Sequence, residues 1–65
     1  MTQERIFDNR SNLRGKLITE SNGDKTLFDK SNNRLGYYEV RTNKSFDRSN
    51  NFVGYGISNL HSLLK

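Results

Sequence analysis

A nine-residue motif occurs three times in this 65-residue chain and constrains its fold more than any other feature. The copies are FDNRSNLRG at 7–15, FDKSNNRLG at 28–36 and FDRSNNFVG at 46–54. Each has Phe-Asp, an Asn four residues after the Asp, and a Gly eight residues after the Phe. The spacing of 21 and then 18 residues between the Phe positions is too short for helix-pair repeats and suits one β-hairpin per repeat.

The residues of the motif predict a tight turn in each repeat. The Asp can cap the turn from position i of a type I turn, and the residue three later then adopts a left-handed conformation. The predicted left-handed residues are Ser11, Asn32 and Asn50. If each is a type I turn with a bulge, Phe7 lies opposite Leu13, Phe28 opposite Arg34 and Phe46 opposite Phe52. The side-chain period of two then puts each Gly on the same face as its Phe, where we expect the ring to cover it.

The connections between the hairpins carry their own turn signals. Asn22-Gly23 predicts a two-residue turn with two positive φ angles, which would pair Leu17 with Phe28 and put Leu17 on the Phe face. In the second connection, 41–43, Asn43 is the expected left-handed residue.

Together these signals predict a single all-β domain over residues 1–65, an antiparallel meander of about six short strands built from three hairpins. The expected strands are approximately 3–8, 13–20, 25–29, 34–40, 44–47 and 52–57. Near the C-terminus, Leu60, Leu63 and Leu64 have helical spacing behind a Ser/Asn cap. This segment, within 58–65, predicts a short helix that covers part of one sheet face.

The predicted register divides the apolar residues between two faces. One face is expected to carry the three glycines with Phe7, Leu13, Leu17, Phe28, Tyr38, Val40, Phe46 and Phe52. The other is expected to carry Ile6, Ile18, Leu27, Leu35, Tyr37, Val53, Tyr55 and Ile57, diluted by Arg14, Lys16 and Glu39. Both faces hold more apolar surface than a solvated face needs.

Stability is a problem for a chain of this length, because below roughly 70 to 80 residues a single core contributes only a few kcal/mol. The chain has no Cys and one His, which excludes disulfides and argues against a structural zinc site. Regular local structure and self-association are the remaining sources of stability. The uncovered sheet face or a sheet edge therefore needs a partner, of which a homodimer is the simplest.

The sequence shows no catalytic constellation. His61, the single His, lies on the predicted helix and is expected to be a surface or packing residue. Asp8, Asp29 and Asp47 each begin their own turn, so they are expected to cap turns and not to converge on a metal. The glycines fall singly inside strands and form no phosphate loop. We therefore expect no enzymatic activity, no metal and no cofactor.

The net charge of +4 and the pI near 9.8 are compatible with an anionic partner. A basic, aromatic sheet surface could stack single-stranded bases. The candidate binding residues are Arg14, Lys16, Arg34, Tyr37 and Tyr55. On the predicted register, Tyr37 and Tyr55 share a face with Lys16 and Arg14. No apolar run reaches transmembrane length, and the N-terminus lacks the basic region and apolar segment of a secretory signal, so we expect a cytoplasmic protein without membrane contact.

The three repeats resemble the aromatic-Asp-x-x-Gly/Asn-x-x-x-Gly hairpin repeats of short bacterial proteins, including uncharacterised ones carried on mobile elements and integron gene cassettes. This resemblance covers nearly the whole chain and implies a hairpin fold without a known activity. The turn is also similar to that of choline-binding cell-wall repeats, which depend on Trp, a residue this chain lacks. Asn51, Val53 and Tyr55 match the second half of the Gln-x-Asp-x-Asn-x-Val-x-Tyr strand of mannose-binding monocot lectins, with Asp47 and Ser49 in place of its Gln and Asp.

Three functions are therefore expected in order. The first is a non-enzymatic binding or assembly module that acts through protein–protein contacts and forms a homo-oligomer. The second is a nucleic-acid-binding module that uses a basic, Tyr-bearing sheet face. The third is lectin-like sugar binding. The sequence does not identify a ligand or partner.

Overall fold

A computed structural model describes residues 1–64 and shows a six-stranded antiparallel sheet in which each strand pairs with its neighbours in sequence. The elements are β1 (Thr2–Phe7), β2 (Leu13–Thr19), β3 (Lys25–Asp29), β4 (Arg34–Glu39), β5 (Lys44–Asp47), β6 (Phe52–Tyr55) and α1 (Ser58–His61). The predicted all-β meander with a short C-terminal helix is confirmed. Lys65, the last residue of the predicted helical segment, lies outside the described residues.

The three repeats form the same turn, held by the carboxylate of the motif Asp. In the first turn, Asp8 Oδ1 accepts hydrogen bonds from the backbone N–H of Arg10 at 2.8 Å and of Asn12 at 2.9 Å. Its Oδ2 accepts a third from Asn12 Nδ2 at 3.4 Å. Asp29 and Asp47 make the equivalent bonds in their turns. These backbone hydrogen bonds favour the charged carboxylate and lower the pKa of each of the three Asp side chains.

The left-handed residues lie where the turn chemistry predicts them. The φ angles are 64° at Ser11, 68° at Asn32, 65° at Asn50 and 58° at Asn43. Ser and Asn adopt this conformation at small cost because a short polar side chain tolerates it. The Asn four residues after each Asp has a different role, since it closes the turn and donates its side-chain amide to that Asp.

The prediction that each motif Gly lies beneath its Phe is wrong, because every hairpin contains a further β-bulge in the strand that follows the turn. In the second hairpin Phe28 pairs with Arg34 as predicted, but Leu27 pairs with Gly36, which leaves Leu35 as an extra residue. The same shift occurs in the first and third hairpins. An extra residue reverses the alternation of side chains, so each Gly faces away from its Phe.

The predicted two-residue turn at Asn22-Gly23 is also wrong. Of the two residues only Gly23 has a positive φ, of 97°, and the turn is closed by a hydrogen bond of 2.7 Å from Glu20 N–H to Asp24 O. This longer turn shifts the register by one residue, so that Leu17 pairs with Leu27 in place of Phe28. A one-residue shift moves a side chain to the opposite face, and Leu17 therefore faces away from the Phe side chains.

We call the sheet face that packs against the C-terminal segment the closed face. Its buried core consists of Leu17, Leu27 and Leu60, and the last two have no solvent exposure. Half-buried side chains pack around this core, namely Ile6, Leu35, Tyr38, Ile57, Leu63 and Leu64. The predicted separation of Ile6, Leu27 and Leu35 from the glycine-bearing face is therefore incorrect.

The motif glycines allow the C-terminal segment to approach the sheet closely. A Cβ atom at Gly15 would lie 3.1 Å from Leu64 Cδ2, and one at Gly36 would lie 2.7 Å from Leu63 Cδ1. One at Gly54 would lie 2.8 Å from the side chain of Asn59. Since ordinary Cβ contacts are longer, no other residue fits under this segment without displacing it.

Candidate binding surface on the open sheet face

The sheet face opposite the helix, which we call the open face, carries the motif Phe side chains. Register and alternation place Phe7, Leu13, Lys16, Ile18, Phe28, Arg34, Tyr37, Phe46, Phe52 and Tyr55 on it. The C-terminal segment packs on the other face, so within residues 1–64 no element of the chain covers this one.

Four aromatic side chains form a continuous ladder across β4, β5 and β6. The rings of Tyr37 and Phe46 are stacked, with centroids 5.0 Å apart and an interplanar angle of 20°. Phe46 meets Phe52 edge to face at 6.0 Å, and Phe52 meets Tyr55 edge to face at 5.1 Å. These are preferred aromatic geometries. We call these four residues the aromatic ladder.

The ladder arises directly from the strand register. Tyr37 is the cross-strand partner of Phe46, which is in turn the partner of Phe52. Cross-strand aromatic pairs contribute roughly 0.2–1 kcal/mol each to a sheet. The end of the ladder on β6 remains accessible, with Phe52 52% exposed and Tyr55 63% exposed.

Two cations lie over rings of the same face. Lys16 Nζ lies 5.4 Å from the centroid of the Phe28 ring, and Arg34 Cζ lies 5.5 Å from the centroid of the Tyr37 ring. Both distances are within the range of a cation–π attraction. Phe28 pairs with both Lys16 and Arg34 on its neighbouring strands, so cations and rings alternate across the middle of the sheet.

The structure brings together four of the five residues predicted as a binding surface. Lys16, Arg34, Tyr37 and Tyr55 share the open face, whereas Arg14 does not. Arg14 is the extra residue of the first bulge and lines a cleft of about 540 Å³ on the helix side, together with His61 and Leu64. The predicted placement of Arg14 on the same face as Tyr37 is therefore wrong, because the bulge turns it over.

The predicted site omits Phe28 and Phe46, because the predicted register uses their rings to cover glycines. The signal that could have placed them on the surface lies in the C-terminal segment. Three motif glycines recur at one position of the hairpin, and the segment provides three leucines that need close contact with a sheet. Pairing the glycines with the leucines would have left every motif Phe on the other face.

The described residues contain few groups suited to metal binding or catalysis. Within residues 1–64, no group of three or more His, Cys, Asp or Glu side chains could hold a metal ion. The exposed His61 ends the short helix α1, and the motif Asp carboxylates are each occupied by their own turns. No helix in the described part of the chain is long and apolar enough to cross a membrane.

Comparisons with known proteins add no further assignment. No family model, curated protein or solved structure matches this chain.

Proposed function

We propose that this protein is a non-enzymatic binding module that associates with a second copy of itself through the open face. The observation that supports this proposal is the combination of an uncovered aromatic ladder with a core of only three buried leucines. Association through the ladder would bury apolar surface that the fold itself leaves in water. The cytoplasm remains the predicted location.

The size of the open face suits an interface between two copies. The molecule measures 33 × 23 × 19 Å, so its broad face is on the scale of the interface surface needed for a stable dimer. A standard protein–protein interface takes roughly 800 Å² from each partner. Aromatic side chains are enriched at the centre of such interfaces because they bury large areas with few rotatable bonds.

The cations of the open face do not prevent this association. The charged ends of Lys16 and Arg34 already lie over the Phe28 and Tyr37 rings of their own sheet, so each has an attractive partner within one molecule. Among residues 1–64, no cation lies over the ring of Phe52 or Tyr55 at the β6 end of the ladder, although Lys44 is the cross-strand partner of Tyr55. We therefore place the centre of the interface at these two residues.

The base-stacking and sugar-binding alternatives have less support on this face. The Tyr37 ring already has Phe46 stacked on it and the Arg34 guanidinium over it, which leaves less of the ring free for a base. Asn51, part of the lectin-like pattern, donates its side-chain amide to Asp47 at 3.4 Å. That donor is thus engaged in holding the turn.

The proposal predicts that the double variant Phe52→Ser/Tyr55→Ser associates more weakly than the wild type. Sedimentation equilibrium should show the wild-type chain above monomer mass at micromolar concentration. The double variant should have a dissociation constant at least about tenfold higher, since a buried interface aromatic commonly contributes more than 1 kcal/mol. Both side chains are more than half exposed, so the fold should be retained.

Val40→Ser is the matched control, because Val40 is 42% exposed but lies beyond the last residue of β4 and outside the ladder. It should leave the association unchanged. A wild-type chain that stays monomeric throughout the concentration series, or a control that weakens association as much as the double variant, would rule out the proposed interface.

A further inference from the structure

Four cationic side chains meet at one corner of the sheet, around Lys30 in the turn between β3 and β4. On the helix side, Lys30 and Arg14 line a cleft of about 330 Å³. On the open side, Lys30 lines a second cleft, of about 350 Å³, with Arg5 and Lys16. Lys30 therefore stands between two basic clefts, and we call this region the Lys30 corner.

The register of the first three strands creates the Lys30 corner. Arg5 is paired with Lys16, and Gly15 is paired with Asp29. Arg14 precedes Gly15 and Lys30 follows Asp29 in the chain, so both lie beside that pair at the turn end of the sheet. The bulge turns Arg14 to the helix side, whereas Arg5 and Lys16 lie on the open side. Cations therefore lie on both faces at this turn end of the sheet.

The local charge balance is strongly positive. Among the described residues that line these two clefts, Asp29 supplies the one carboxylate. Its oxygens already accept hydrogen bonds from the backbone N–H groups of Ser31 and Asn33 at 2.8 and 2.9 Å and from Asn33 Nδ2 at 3.2 Å. Asp29 keeps its negative charge, so the two clefts together carry four cations against one carboxylate. Arg5 and Arg14 also line the larger cleft on the helix side with Glu4 and Asp8.

We propose that the Lys30 corner binds the phosphate backbone of a single-stranded nucleic acid that passes over the turn end from one cleft to the other. Guanidinium groups match phosphate oxygens in geometry, and the corner combines two of them with two ammonium groups. Leu13, 41% exposed, also lines the open-side cleft and offers an apolar contact for a base or sugar. This site uses different residues from the β6 end of the aromatic ladder and is separate from the proposed self-association.

The test is fluorescence anisotropy of a labelled mixed-sequence single-stranded DNA of about 20 nucleotides, titrated with the wild-type chain at increasing salt. Contact with three or four phosphates predicts a slope of log K against log salt of roughly −2 to −3. Lys30→Glu should weaken binding at low salt by about tenfold or more, because it removes one phosphate contact and adds a repulsive charge.

Arg41→Glu is the matched control, since it makes the same change in net charge at an exposed turn position at the opposite end of the sheet. It should weaken binding by less than about threefold, through the overall charge alone. Three results would overturn the Lys30 corner: no binding of the DNA by the wild type at low salt, equal weakening by both variants, or equally tight binding of polyglutamate of the same charge. Sedimentation of Lys30→Glu should show unchanged association, which separates this test from that of the aromatic ladder.

Discussion

Replacing Gly36 with Val is expected to leave most of the protein unfolded. Gly36 is buried on β4, and a Cβ atom there would collide with the backbone carbonyl oxygen of Phe46 and lie 2.7 Å from Leu63 Cδ1. A backbone atom of a paired strand cannot move aside without breaking the sheet. Overpacking of this kind costs about 1–3 kcal/mol or more, which is comparable to the whole stability expected of so small a domain.

Urea denaturation followed by circular dichroism measures this effect for Gly36→Val. Thr26→Val is the matched control, since it places the same side chain on the open face of the neighbouring strand, where Thr26 pairs with Ile18 and Tyr37. The control should fold with near wild-type stability. A Gly36→Val chain as stable as the control would contradict the close packing of the C-terminal segment on the sheet.

Leu60→Ala is expected to destabilise the protein by about 2–5 kcal/mol, the range for truncating a fully buried leucine. Leu60 has no solvent exposure and is the residue through which α1 completes the core with Leu17 and Leu27. Its loss opens a cavity between the helix and the sheet. The urea midpoint should fall sharply, and the α1 backbone amides should lose protection from hydrogen exchange.

Leu13→Ala removes the same atoms from the open face, where Leu13 is 41% exposed, and serves as the control for Leu60→Ala. We expect it to cost less than about 1 kcal/mol, because the side chain leaves water only in part. Equal losses of stability from the two truncations would contradict the assignment of the core to the closed face.

The turns could be predicted from the sequence because their chemistry is local. Asp at the start of the motif and a residue that tolerates positive φ three positions later specify the type I turn without any knowledge of the rest of the chain. The left-handed residues Ser11, Asn32 and Asn50 follow from this pattern. The number and order of the strands then follow from the turns.

The assignment of residues to faces could not be predicted in the same way. It depends on whether an extra residue interrupts the pairing of the two strands after the turn. The residue types at Arg14, Leu35 and Val53 give no sign of such a bulge. The Asn22-Gly23 pair likewise gives no sign that its turn contains a third residue. Because strands have a period of two, each missed residue exchanges the buried and exposed faces.

The candidate site was predicted better than the faces that were used to derive it. Lys16, Tyr37 and Tyr55 lie on one face because no bulge intervenes between the pairs that connect them across the sheet. Arg34 joins them only because the bulge at Leu35 reverses the alternation between Arg34 and Tyr37. Arg14 was misplaced because it is itself a bulge residue. Phe28 and Phe46 were missed because their rings were expected to fill the space that the C-terminal leucines occupy.

The most direct test of the division between a closed face and a binding face is a concentration series of NMR spectra of the wild-type chain. If the open face associates, the ring resonances of Phe52 and Tyr55 should shift as the protein concentration rises through the dissociation constant. The methyl resonances of Leu27 and Leu60, which are buried within one molecule, should stay in place. Ring resonances that do not change with concentration, or shifts confined to residues of the closed face, would contradict the open face as the binding surface.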